Sequence, residues 1–202
     1  VSGELPPTPG CSKSSAETGV RTKGLANRTY VLSVPSNYQA SQKYALVFGW
    51  HGYGLDGYQM RSFMEKLEQL SESTAIFVYP NARNKAWDQS GSDFTFFDQM
   101  VNELSNQYCI DKSRISSVGF SNGAFFTNAL AQNRPSMIHG IVSVAGGGGG
   151  GLPMQAMIIH GNQDRWVSFS SGAASISNWA HANGCSTAID YSARGSCYYL
   201  SN

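Results

Sequence analysis

The sequence has no continuous apolar stretch near the length of about 18–20 residues that a membrane-spanning helix needs. It also lacks a basic segment leading into an apolar one: it opens Val1-Ser2-Gly3, which reads as a processed chain. Charge of one sign is missing as well. Lys and Arg total 14 against 13 Asp and Glu, a formal net charge of +1, so no field exists to steer a polyanion. Nucleic acid and membrane are therefore not expected partners. The 4 cysteines include no C-x-x-C pair, which argues against a metal or dithiol centre, and neither metal nor cofactor is expected. Nothing marks a second core either, so 202 residues read as one domain, 1–202, expected to be monomeric.

Charged residues are only 13% of the chain while 22 glycines and many Ser, Thr, Asn and aromatic residues are present, a balance that suggests a secreted, extracellular protein acting on carbohydrate. Asn27-Arg28-Thr29 is a glycosylation sequon, which matters only in a secretory pathway. Cys11, Cys109, Cys185 and Cys197 allow three disulfide connectivities that sequence alone does not decide. Cys185 and Cys197 are close and flank a strand-like stretch at 187–191, which favours that pair and leaves Cys11 with Cys109.

The first two dozen residues, with Pro6-Pro7 and Pro9-Gly10, predict an irregular arm unless Cys11 staples it down, with regular structure starting near Arg28. Apolar runs predict strands at 29–34, 44–50, 75–79, 115–119, 138–144 and 156–160. Between them, helical spacing of Met60, Phe63, Met64, Leu67 and Leu70, and of Phe97, Met100, Val101 and Leu104, predicts helices over 58–70 and 94–104. Further helices are expected at 122–131 and 172–183. This alternation implies right-handed βαβ units and a three-layer α/β sandwich with a mainly parallel central sheet. Six consecutive glycines, Gly146 to Gly151, predict a flexible surface loop.

The stretch Ile115-Ser116-Ser117-Val118-Gly119-Phe120-Ser121-Asn122-Gly123-Ala124 is an apolar strand running through G-x-S-x-G into a helical pattern. A bare G-x-S-x-G is weak; in a strand–turn–helix setting it marks a nucleophilic serine lifted above the sheet edge. Ser121 is the candidate nucleophile, and the Asn122 amide, at a helix N-terminus, can stabilise an oxyanion. Trp50-His51-Gly52-Tyr53-Gly54 follows an earlier strand, where this fold places a second oxyanion donor, so the Tyr53 amide is the partner candidate. His51 precedes the serine and reads as shaping the loop. Asp164 lies beyond the strand ending at His160, in the chain order expected of the acid of a serine–acid–histidine triad. His160 and His139 read as structural. Trp87, Phe120 and Trp166, near strand carboxyl ends, could wall a phenolic acyl ring.

Gly10-Cys11-Ser12-Lys13, His51-Gly52, Ile76-Phe77-Val78-Tyr79-Pro80-Asn81, Trp87, Asp93 with 94–98, Tyr108-Cys109-Ile110-Asp111, Gly119 to Gly123, His160-Gly161 to Asp164 and Asn183-Gly184-Cys185 occur in order along nearly the whole chain. In these segments the sequence resembles the type B feruloyl esterases, secreted α/β-hydrolases related to acetylxylan esterases and polyhydroxybutyrate depolymerases. The resemblance implies a serine carboxylesterase that cleaves feruloyl or other hydroxycinnamoyl esters on arabinoxylan, with a feruloylated polysaccharide or oligosaccharide as partner. It also implies a catalytic histidine on a Gly-His segment near the C-terminus. The sequence ends at Asn202 without one, so the domain is expected to lack its C-terminal segment and the base to lie beyond Asn202. His181, the only histidine after Asp164, is the alternative base. An acetylxylan esterase or short-polyester depolymerase would use the same triad, and a carbohydrate-binding homologue without catalysis is the alternative of another class.

Overall fold

The computed structural model describes residues 5–13, 16–89, 91–185, 192–194 and 197–199, the last two stretches by backbone only. Seven strands form one sheet: β1 (Gly19–Leu25), β2 (Arg28–Val34), β3 (Tyr44–Trp50), β4 (Ala75–Pro80), β5 (Ile110–Phe120), β6 (Gly140–Val144) and β7 (Gln155–Ile159). They lie in the order β1-β2-β4-β3-β5-β6-β7. From β4 to β7 all neighbours are parallel, while β1 and β2 join antiparallel at one end. Three helices cross over between parallel strands, α1 (Gly57–Leu70), α2 (Ser92–Gln107) and α3 (Asn122–Asn133), and a fourth, α4 (Phe169–Ala182), follows β7. A small antiparallel pair, β8 (Ser192–Arg194) and β9 (Cys197–Tyr199), follows. This is the three-layer, mainly parallel sandwich expected from the alternating pattern, and the α/β-hydrolase architecture that the resemblance implies.

β4 is apolar at every position but its closing proline because both of its faces are covered, and all six of its residues are buried. On one side α2, α3 and α4 pack with the sheet around Phe48, Trp50, Phe97, Met100, Leu104 and Phe126. The other side is thinner. There Met60 and Met64 of α1 pack with Val31, Phe77, Tyr79 and Val118. The apolar spacing of α1 is real, but only its Met60–Met64 stripe is covered; Phe63 is 65% exposed, and Leu67 and Leu70 are exposed too. The same side stays bare at the sheet's far edge, where Met157 is 58% and Ile159 46% exposed.

The N-terminal segment corrects one expectation and bears out another. Residues 19–25 are a strand, not an irregular arm, and pair with β2 through a two-residue turn, Ala26-Asn27, whose φ values of 51° and 58° suit the right-handed twist of a hairpin. Ahead of it, Cys11 and Cys109 form a disulfide that pins the 3-10 turn Pro9–Ser12 to the start of β5. Thr8 Oγ1 donates to the Tyr108 carbonyl at 3.0 Å and accepts the Ile110 N–H at 3.0 Å. The expected Cys185–Cys197 bridge depends on the Cys197 side chain, which lies outside what is described.

Because the Cys11–Cys109 bridge spans a sequence separation of 98, it constrains the unfolded chain strongly. Cys11→Ser should cost about 2–5 kcal/mol in the unfolding free energy measured by denaturant titration. An unchanged midpoint would mean that the staple contributes nothing.

The glycine run also departs from expectation. Gly146 to Gly151 is not a loose surface loop but a ribbon laid between α3 and α4. Asn128 Nδ2 donates to the Gly147 carbonyl at 3.0 Å and Gln132 Nε2 to that of Gly149 at 3.2 Å. A methyl carbon on Gly149 would stand 2.2 Å from Trp179 Nε1, and at φ +93° a side chain would be strained in any case. Glycine is used here for close approach, and a composition-based reading of flexibility cannot see that.

Candidate active site

β5 delivers Ser121 to the carboxyl edge of the sheet, and α3 starts immediately after it. The turn between them is tight enough to need its glycines. A methyl carbon on Gly119 would lie 2.1 Å from the Gly123 carbonyl oxygen, and one on Gly123 would lie 2.1 Å from that of Trp50. Ser121 itself has φ 53° and ψ −117°, a conformation that L-residues rarely adopt and that costs on the order of 1–3 kcal/mol. The strain is held in place by neighbours: Ser121 N–H donates to the Val144 carbonyl on β6 at 2.9 Å, and the Ser121 carbonyl accepts Ala124 N–H at 2.9 Å.

The loop after β3 passes directly over this turn. A methyl carbon on Gly52 would sit 3.4 Å from the Ser121 Cβ and 3.0 Å from the Phe120 ring. The next amide is that of Tyr53. Among the described residues, neither the Tyr53 nor the Asn122 N–H is engaged by a protein acceptor, while the neighbouring Gly54 N–H is committed to the Lys85 carbonyl at 2.9 Å. Two uncommitted amides beside a serine at a helix N-terminus are what a developing oxyanion requires.

His51 is buried and locked. Its Nε2 accepts the Ala82 N–H at 3.1 Å and its Nδ1 lies 2.7 Å from the Gly52 carbonyl. Burial pushes its pKa below the ordinary 6.5, and the acceptor role of Nε2 requires the neutral ring. The fold therefore gives His51 a loop-holding task, in line with its place ahead of the serine. A group that prefers to be neutral when folded supports stability at neutral pH and loses that support as pH falls from about 6.5 toward its lowered folded value. His51→Gln, followed by thermal melts between pH 7 and 5, should flatten this decline; an unaltered profile would contradict the assignment.

Asp164 follows β7, two strands over from β5 on the same carboxyl edge, a span of about 10 Å at ordinary strand spacing. Its Oδ1 accepts the Trp166 N–H at 2.8 Å and the Val167 N–H at 3.0 Å. These bonds, that of Val167 foremost, hold its carboxyl below the usual range, so it is anionic at neutral pH. Oδ2 stands 3.8 Å from His160 Nε2, too far for a hydrogen bond, and that nitrogen is instead 2.9 Å from the Val167 carbonyl. His160 is thus a loop support.

His181 is not brought to the site. α4 begins beside the Asp164 loop and runs back across the sheet, so His181 in its last turn lies about 18 Å further along the helix axis. Met154, just before β7 begins, donates its N–H to Asn183 Oδ1 at 2.9 Å, which places that end of α4 at the amino edge of the strands.

The aromatic candidates separate. Trp166 is 96% exposed beside Asp164, and Phe120 is half-buried next to Ser121 with the Phe63 ring 5.7 Å away. Phe63 was hidden from sequence reading among the apolar positions of α1. Trp87, by contrast, is only 4% exposed, enclosed by Trp50 and Phe126. It does not wall a substrate but braces the loops: its Nε1 donates to the His51 carbonyl at 2.8 Å, and its N–H to Asn122 Oδ1 at 2.7 Å.

A strained serine at a strand–helix elbow, crossed by an amide-bearing loop on a parallel sheet, defines a serine carboxylic ester hydrolase of the α/β-hydrolase fold. Feruloyl esterase C of Emericella nidulans is 31% identical over 202 residues, covering 94% of this chain and 74% of that protein. Feruloyl esterase D of Neurospora crassa is 27% identical over 210 residues, covering 90% and 70%. The chain belongs to the feruloyl esterase family, a group of carbohydrate esterases. Among solved structures, a thermostable esterase superposes with a TM-score of 0.67 at 18% identity, covering 81% of this chain and 52% of that one. An acetyl xylan esterase from Aspergillus awamori superposes with a TM-score of 0.54 at 21% identity, covering 61% and 50%. The chain thus spans about half the length of those two solved esterases. No family model matches the chain.

Proposed function

We propose that this protein is a secreted esterase that removes feruloyl or related hydroxycinnamoyl groups from plant arabinoxylan through an acyl-enzyme on Ser121. The observation that carries the reading is the elbow itself, with Ser121 strained at the edge and the Tyr53 and Asn122 amides uncommitted beside it. The relatives named feruloyl esterase supply the substrate class.

In the proposed reaction a histidine removes the Ser121 hydroxyl proton as the oxygen attacks the ester carbonyl carbon, and the carbonyl oxygen, now anionic, rests on the two amides. Collapse expels the sugar alkoxide, which takes the proton from the imidazolium; water then repeats the sequence and releases the acid. Asp164 Oδ2 is the oxygen left to orient that imidazole. The base is proposed to come from residues beyond Asn202, and two features support this. His51 and His160 are committed to loop groups, and the bare sheet side around Met157 and Ile159 leaves room for a further segment. The exposed position of Asn27 in the β1–β2 turn is compatible with the glycan that a secretory route would add.

Phe120, Phe63 and Trp166 favour an aromatic acyl group over acetyl. The test is the ratio of kcat/KM on methyl ferulate to that on an acetyl ester. A ratio above one supports the hydroxycinnamoyl reading; a strong preference for acetyl would assign the chain to the acetylxylan-type activity instead.

A further inference from the structure

We infer that the buried Arg28–Asp93 ion pair is a positioning device for the oxyanion cradle, because it fastens two separated points of the loop on which that cradle hangs. The inference rests on the Ser121 reading above. Arg28, at the start of β2, and Asp93, in the first turn of α2, are bonded to each other with side chains 4% and 2% exposed. Neither reaches Ser121 directly. Arg28 Nη2 donates to the Asn81 carbonyl at 3.0 Å, and Asp93 Oδ2 accepts the Asp88 N–H at 2.5 Å. Asn81 opens the connecting loop that follows β4 and precedes α2, and Asp88 lies toward its far end.

Three residues between those two anchor points bond to the site. Ala82 N–H donates to His51 Nε2, the Lys85 carbonyl accepts Gly54 N–H, and Trp87 donates to the His51 carbonyl and to Asn122 Oδ1. Asn81 Oδ1 also accepts Gly57 N–H at 2.7 Å, where α1 begins. The loop therefore bonds both residues flanking Gly52-Tyr53, together with the side chain of Asn122, and so holds the chain on either side of one proposed oxyanion donor and the side chain of the other. The Arg28 guanidinium is stacked over Phe96, with its Cζ 4.0 Å from the ring centroid, so its fork is fixed in direction as well as in charge. A planar, two-sided donor paired with a two-oxygen acceptor can hold two backbone points at a set separation; a lone hydrogen bond cannot.

Breaking one half of a buried pair leaves an orphan charge, so a single truncation would confuse folding with function. The informative variant is the double replacement Arg28→Met with Asp93→Leu, which removes both charges while filling the space. The expected result is a folded double variant with a melting temperature within a few degrees of the parent. Its kcat on 4-nitrophenyl acetate should be lower by about 100-fold, as a displacement of order 1 Å far from the chemistry can produce, with KM little changed. Amide hydrogen exchange, which does not depend on activity, should rise at 51–55 and 82–88 and stay unchanged in the central strands. Parent kcat in the folded double variant would overturn the inference, as would exchange that rises evenly through loop and sheet. If the parent hydrolyses no faster than Ser121→Ala, the esterase reading fails, and the exchange pattern alone decides the clamp.

Discussion

Ser121→Ala, assayed in the protein with its base in place, is expected to lower kcat by about 10⁴- to 10⁶-fold while leaving the fold intact. That range is what loss of an activated serine nucleophile costs when binding and the oxyanion cradle remain. Ser121 is half-buried and belongs to neither core cluster, so alanine loses no core contact. The backbone strain is retained, since it arises from a Cβ at φ 53°. Ser121→Gly should be equally inactive but more stable than Ser121→Ala. Relief of about 1–3 kcal/mol of strain outweighs the roughly 0.5–1 kcal/mol of extra unfolded-state entropy that glycine carries. Equal melting temperatures for the two variants would show that the elbow stores no strain.

The second large effect belongs to Asp164. Asp164→Asn should lower kcat by about 10⁴-fold, because an amide can neither stabilise an imidazolium nor enforce the tautomer the serine needs. KM should move little, since Asp164 is not placed to touch the ester. The sign of the pH dependence follows from its hydrogen bonds. Accepting the Val167 and Trp166 amides keeps its folded pKa below the ordinary 3.8. Its contribution to stability is therefore full above that value and is lost only as pH falls through the lowered folded one. The acid limb of the activity profile should accordingly track the histidine near its ordinary value of about 6.5. A limb set by Asp164 would sit far lower. Asp164→Asn that keeps parent kcat would remove it from the mechanism.

The legible parts of this fold were those where one periodicity dominates. β3, β4 and β6 are apolar runs bounded by turn residues, and Ser121 was visible because G-x-S-x-G sat between a strand pattern and a helix pattern. β1 was not legible. It alternates half-buried and exposed residues, and its turn is Ala26-Asn27 without the glycine that usually marks a hairpin. The glycine ribbon was misread because composition reports freedom in the unfolded chain, whereas the fold spends that freedom on contact with Trp179 and Asn128. Trp87 was misassigned for a related reason: an aromatic near a strand end can face outward or brace from within, and only its partners decide. The Arg28–Asp93 pair, 65 residues apart in sequence, left no local signal.

The most direct measurement is covalent labelling with a fluorophosphonate followed by peptide mapping. A single phosphonyl adduct on Ser121 is expected in the protein with its base in place, abolished by Ser121→Ala and strongly slowed by Asp164→Asn. An adduct on another residue, or labelling that persists in Ser121→Ala, would contradict it.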